Sequence, residues 1–285
     1  MFDNYPDWSQ EFARKYLSRT INTFLLHGNV HDLVPLQEDE TTEFHRLKSF
    51  LSDEFFGARD YVIFYDRSSG IYFRDKESQA DFNQAIAGRD SLVGTDYAKR
   101  MPKDPVRVFS LLEQYFRLRL DQKKSIALII DYAETIIPMS DAGSTGNEDR
   151  TALVYLSRWA HDPMFLASDF THVMITENLA DLNKTLIQNP YTTEIKITIP
   201  GEKDRLSFIK FETSDDDFDK LSDVKPEIIA QQTVGLNYVN IRSVLSNARE
   251  NEEKITFESL SRNKKELIEA EAYGLLEFVE TQYSL

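Results

Sequence analysis

Backbone wraps a phosphate when glycines let several N–H groups converge, a lysine neutralises the outer oxygens and a hydroxyl holds magnesium; the spacing that does this is G-x-x-x-x-G-K-[ST]. In this chain the turn that closes the first apolar run reads His27-Gly28-Asn29-Val30-His31-Asp32-Leu33-Val34-Pro35. None of the ten glycines is followed by lysine, so the motif is absent. His31 and Asp32 stand where the cradle would be, and a carboxylate there repels phosphate oxygens. His27 and His31 are four residues apart, a spacing that suits a metal on a helix. They follow a strand-like run, where that spacing does not align them, and no third ligand is evident. With no cysteine in the chain, thiolate catalysis and cysteine zinc sites are excluded, and no nucleophile elbow or paired-carboxylate glycosidase pattern stands out.

The elements that must position these residues follow from apolar periodicity. Short buried-strand patterns occur at 23–26, 61–65, 126–130, 173–176 and 195–199, with helical spacing at 43–56, 106–120 and 152–159. Alternation of strand and helix predicts an α/β fold with a mostly parallel, five-stranded sheet covered on both faces. The Ser68-Ser69-Gly70 break predicts that the second strand continues into a hairpin or extended loop. Residues 140–150 read as a mobile loop, and Asp215-Asp216-Asp217 as a solvated helix cap. After Pro200 the strand pattern stops, and 202–211, 226–233, 238–250 and 264–278 read as helices. The expected organisation is an α/β domain over 1–200, a helical lid over 201–263 and a connecting helix over 264–285 carrying Leu267, Ile268, Leu275, Leu276 and Phe278.

Of 285 residues, 41% are hydrophobic, enough for a large core. The formal net charge of −15 repels a phosphate backbone, which argues against general nucleic-acid binding. No run approaches the roughly 20 apolar residues that span a bilayer, and the N-terminus lacks a basic start before an apolar stretch. No membrane partner is expected, and the cytoplasm is the simplest location.

Five pieces, in order, resemble an AAA+ ATPase module, a P-loop NTPase fold. Phe24-Leu25-Leu26-His27-Gly28-Asn29 is similar to the first strand entering the phosphate loop, and Leu128-Ile129-Ile130-Asp131 to the Walker B strand. The run 171–178 resembles the strand that ends in the sensor-1 residue. The run 197–206 resembles the last strand and lid entry, and 235–248 the helix that carries sensor 2. The resemblance implies a degenerate nucleotide site formed by Gly28, Asn29, His31, Asp32 and Arg242. It implies that Asp131 would hold magnesium if the metal binds, and that Asn178 would orient water. Tyr132 stands where the family has its catalytic glutamate, and Glu134 could substitute only if the backbone bulged. No arginine occurs from Trp159 to Asp204, where the family supplies the finger that activates a neighbour. Ordinary readings stand beside these: cap or loop carboxylates for Asp131 and Glu134, a turn residue for Asn178, and an ion-pairing surface arginine for Arg242.

The resemblance is to the degenerate first module of bacterial and cyanobacterial tandem AAA+ proteins, so the natural protein is expected to continue past Leu285. The expected role is assembly, regulation or substrate engagement of an intact AAA+ module, in the same or another chain, with homo-oligomers as a further partner. No resident cofactor is expected. The alternatives are a divergent ATPase using ATP and magnesium, and an inactive clamp-loader-like subunit.

Overall fold

The computed structural model describes residues 4–38, 41–140, 146–213, 215–251 and 253–271. In chain order the first elements are α1 (Asp7–Leu17), β1 (Thr23–Gly28), β2 (Leu33–Glu38), β3 (Thr41–Arg46) and α2 (Leu47–Ser49), which passes into a π-helical segment, Phe50–Phe55. There follow β4 (Tyr61–Asp66), β5 (Gly70–Phe73), α3 (Lys76–Val93), α4 (Pro105–Asp121), β6 (Ile126–Ile130), α5 (Asn147–His161), α6 (Pro163–Leu166), β7 (Phe170–Thr176), α7 (Lys184–Ile187) and β8 (Thr192–Ile197). The last helices are α8 (Glu202–Glu212), α9 (Asp215–Leu221), α10 (Pro226–Gln232), α11 (Tyr238–Glu250) and α12 (Phe257–Glu271).

The main sheet has the order β5-β4-β6-β7-β1-β8. The five expected strands are its parallel body, and β5 adds an antiparallel edge. The hairpin that makes this edge is local chemistry: Asp66 Oδ1 accepts from the backbone N–H groups of Ser68 and Ser69, and Gly70 follows at φ 82°. Strands β6 and β7 are buried at every position, as a sheet covered on both faces requires. Successive residues of β1 serve opposite faces. Leu25 joins a core built from α4, α5 and the sheet, while Phe24 meets Phe12 of α1 with ring centroids 4.7 Å apart.

Two compact units result, Met1–His31 with Leu47–Ile197, and Asp32–Arg46 with Thr198–Leu285. The second contains the β2–β3 hairpin, which lies inside the span that the sequence pattern gives to the α/β domain. Leu33 is buried with Phe208, Ile241 and Leu245, and Phe44 packs edge-on against Phe208 at 4.9 Å. Burying a residue of Leu33's kind contributes about 1.5–3 kcal/mol, so the hairpin is part of that unit's core.

The helical reading of 43–56 needs correction: Glu43 to Arg46 belong to β3, and helix begins at Leu47. Thr41, Thr42 and Phe44 favour a pleated strand, and the pairing to β2 decides the matter. The loop reading of 140–150 stops short as well, because α5 starts at Asn147; residues 141–145 lie outside the described set. So do Leu275, Leu276 and Phe278 and the side chains of Leu267 and Ile268. Among the described residues no helix is long and apolar enough to cross a membrane.

Candidate functional site

Parallel neighbours deliver their C-terminal ends to one edge of the sheet, and β6, β7 and β1 lie side by side. Asp131 follows β6, Glu177 follows β7, and the Gly28 turn follows β1. In open α/β sheets that edge is where ligands sit. A pocket of about 230 Å³ lies there, lined by Val30, His31, Asp131, Tyr132, Glu134 and Glu177 among others. His31 Nε2 is 2.8 Å from a Glu177 carboxylate oxygen, and its ring lies 5.9 Å from that of Tyr132. The structure thus brings His31, Asp131 and Glu134 together, three of the residues the sequence nominates.

The Gly28 turn has its own geometry. Gly28 is at φ 95°, and a Cβ there would stand 2.6 Å from the Ile197 carbonyl oxygen, so glycine is required for the close approach of β8. Its N–H donates to the Glu177 carbonyl at 3.0 Å, that of Asn29 to the Ile197 carbonyl at 3.0 Å, and that of Val30 to the Gly28 carbonyl at 2.7 Å. In a phosphate loop these donors point at the ligand. Here all three are engaged by protein carbonyls.

Asp32 corrects an expectation. Its carboxylate does not wait where phosphate oxygens would sit; the residue is 2% exposed, and Oδ2 and Oδ1 accept from the N–H groups of Tyr238 and Val239 at 3.0 and 3.1 Å. Those are the first amides of α11, where the helix dipole favours a negative charge. The residue is a helix cap of the second unit.

Asp131 is 8% exposed and therefore needs a cation. Lys48, in α2, supplies it at 2.9 Å from Oδ2, while Oδ1 accepts from the Tyr132 N–H at 3.0 Å. Lys48 Nζ also lies 3.4 Å from the Tyr72 hydroxyl. Burial pulls the Lys48 ammonium down, but the hydrogen bond and charge of Asp131 outweigh it and hold the group well above its ordinary value. Motif reasoning misses Lys48 because the β2–β3 hairpin separates it from Gly28. The signal that could find it is a lysine in the first helical turn after the first strand, wherever the helix begins.

After Asp131 the backbone turns sharply. Tyr132 adopts the left-handed conformation at φ 51°, 47% exposed, and a 3₁₀ turn over Ala133–Thr135 carries Glu134. One Glu134 carboxylate oxygen is buried without a hydrogen-bond partner. Asn178 does not line the pocket; its side chain accepts from the Ala180 N–H at 3.1 Å, capping a 3₁₀ turn. Arg242 pairs with Glu212 at 2.7 Å and covers the Phe208 ring at 5.4 Å, both within the helical unit. Among the described residues no cluster of three His, Asp or Glu side chains could hold a metal ion. The amides of the Gly28 turn are thus bonded to carbonyls, and Asp131 is paired with an ammonium.

A family model described as AAA+ chaperone, N-terminal Rossmann-like domain, matches residues 2–198. A second, AAA+ chaperone, second helical domain, matches residues 203–273. Among solved structures, a chain in the E. coli MS115-1 HORMA:CdnC:Trip13 complex is similar with a TM-score of 0.54 at 15% identity, over 90% of this chain and 81% of that one. At that identity the likeness concerns the fold. No curated protein sequence matches.

Proposed function

The chain belongs to the AAA+ chaperone family, and from that premise we propose that it is a catalytically degenerate module, acting through protein contacts and not through its own turnover of ATP. The observation that carries this reading is the occupation of the Gly28 turn, whose three amides are bonded to the carbonyls of Glu177, Ile197 and Gly28. Lys48 on Asp131 supports it, because a resident ammonium takes the place a metal would fill. Tyr132 in the position of the water-activating glutamate supports it again, since a phenol cannot serve as that base near neutral pH. A scaffold can persist without its activity, for the core residues and the turn residues are different sets.

The role we assign is assembly, regulation or substrate engagement of an intact AAA+ module. The solved neighbour is itself in a complex with other proteins, which fits a family working through protein partners. Phosphate release from ATP and magnesium by the purified chain tests the reading: no turnover above background is expected. Turnover that Asp131→Ala abolishes would overturn it.

One observation favours a second reading, a divergent ATP-binding module. Lys48 lies in the first turn of the helix that begins at Leu47 and sits beside Asp131, so an outward swing would aim it at a phosphate. That reading requires the Gly28 turn to release its amides, and it predicts ATP binding lost in Lys48→Met.

A further inference from the structure

The opposite edge of the main sheet holds a second pocket, of about 310 Å³, that the nucleotide site does not involve. Its walls come from the ends of α1 and α4 and from the segments that enter β1, β4 and β7. Four of its side chains are cations, Arg19, Arg59, Lys123 and Lys124, against one carboxylate, Asp169. In a chain of formal net charge −15 this concentrates positive potential at one place.

Two of the four have partners. Arg59, only 5% exposed, pairs with the Asp169 carboxylate at 2.6 Å and donates to the Tyr16 hydroxyl at 2.5 Å. Its Nε is buried without a hydrogen-bond partner. Lys124 pairs with Asp60 at 2.9 Å. Arg19 and Lys123 make no ion pair among the described residues. Both stand one residue past a helix C-cap, in the left-handed conformation at φ 54° and 62°. Glycine is the favoured residue there because it has no Cβ, so each cation is held at a backbone cost. Helix dipoles alone could reward cations at these ends, which sets the competing, purely structural explanation.

The remaining wall sets an apolar rim, Leu17 at 55% exposure with the half-buried Ile21 and Leu166, beside the polar Asn22, Ser168 and Thr171. A bare inorganic anion would leave that wall without a partner, and a nucleic acid meets the repulsion of the whole chain. The geometry points to an acidic peptide segment of a protein partner, its carboxylate answered by Arg19 and Lys123 and an apolar neighbour packed on Leu17 and Leu166. This pocket is a docking site separate from the nucleotide edge.

The test uses the full chain and a fluorescein-labelled peptide of alternating leucine and glutamate, followed by anisotropy at about 50 mM and about 300 mM salt. Binding is expected, weaker at high salt, and weakened about tenfold or more by Arg19→Glu with Lys123→Glu. Arg19→Gly with Lys123→Gly separates the two explanations. It should melt at the same or a higher temperature and yet bind the peptide several-fold more weakly. Absence of peptide binding, unchanged affinity in the glycine variant, or displacement of the peptide by about 10 mM inorganic phosphate as a small anion would each overturn the proposal.

Discussion

Replacing Lys48 by methionine keeps the side-chain length and removes the ammonium. The pair joins an Asp131 side chain that is 11% exposed to a Lys48 side chain that is 43% exposed. Breaking a buried pair on one side costs roughly 3–5 kcal/mol, and breaking an exposed one about 0–1 kcal/mol. With the carboxylate buried and the ammonium half in water, Lys48→Met should cost about 2 kcal/mol. On an Asp131→Asn background the same change should cost almost nothing, because the neutral amide no longer needs a cation. Both tryptophans, Trp8 and Trp159, lie in the α/β unit, so tryptophan fluorescence during a urea titration reads the unit that holds the pair. A loss below about 0.5 kcal/mol, or an equal loss on both backgrounds, would refute the claim that Lys48 satisfies Asp131.

His172 is buried in the middle of β7 with neither ring nitrogen hydrogen-bonded, and burial pushes its pKa down from 6.5 to about 3. The unfolded chain therefore takes up the proton first, and this residue's stabilisation is complete above about pH 6.5 and falls by about 1.4 kcal/mol per unit as the pH drops towards 3. Urea titrations from pH 7 to 4.5 should show wild type losing about 2.5 kcal/mol more than His172→Leu, whereas parallel curves would contradict the assignment. Gly28→Ala should destabilise the α/β unit by about 2–4 kcal/mol, read as a lower melting temperature, since it combines a left-handed φ with a clash against the Ile197 carbonyl. Asp32→Ala should cost about 1–2 kcal/mol and speed amide hydrogen exchange at the start of α11, with exchange at Gly28 and Asn29 unchanged.

Much of this was legible in the residues, and the reasons for the gaps are local. Runs such as Ile126–Ile130 read as strands because a sheet covered on both faces asks for unbroken apolar sequence. The helix at 238–250 was equally plain, with buried residues at Tyr238, Ile241, Val244 and Leu245. By contrast α3 spans Lys76–Val93 but, of its apolar residues, buries only Phe82 and Ile86, too thin a stripe to register. The hairpin was hidden because its partner is the core around Phe208 and Tyr238, far away in sequence. For the same reason Asp32 looked like a misplaced phosphate-loop residue, when its ligands are amides of a helix some two hundred positions later. Lys48 escaped since adjacency to glycine was the criterion, and an inserted hairpin defeats adjacency.

Isothermal calorimetry of the purified chain with ATP and magnesium addresses the central claim most directly. If the turn amides stay bonded to carbonyls and Lys48 stays on Asp131, no saturable heat should appear at about millimolar nucleotide, corresponding to affinity weaker than about −4 kcal/mol. A saturable isotherm with a dissociation constant near or below about 0.1 mM, lost in Asp131→Ala, would mean that the site opens for nucleotide and that the module is not retired.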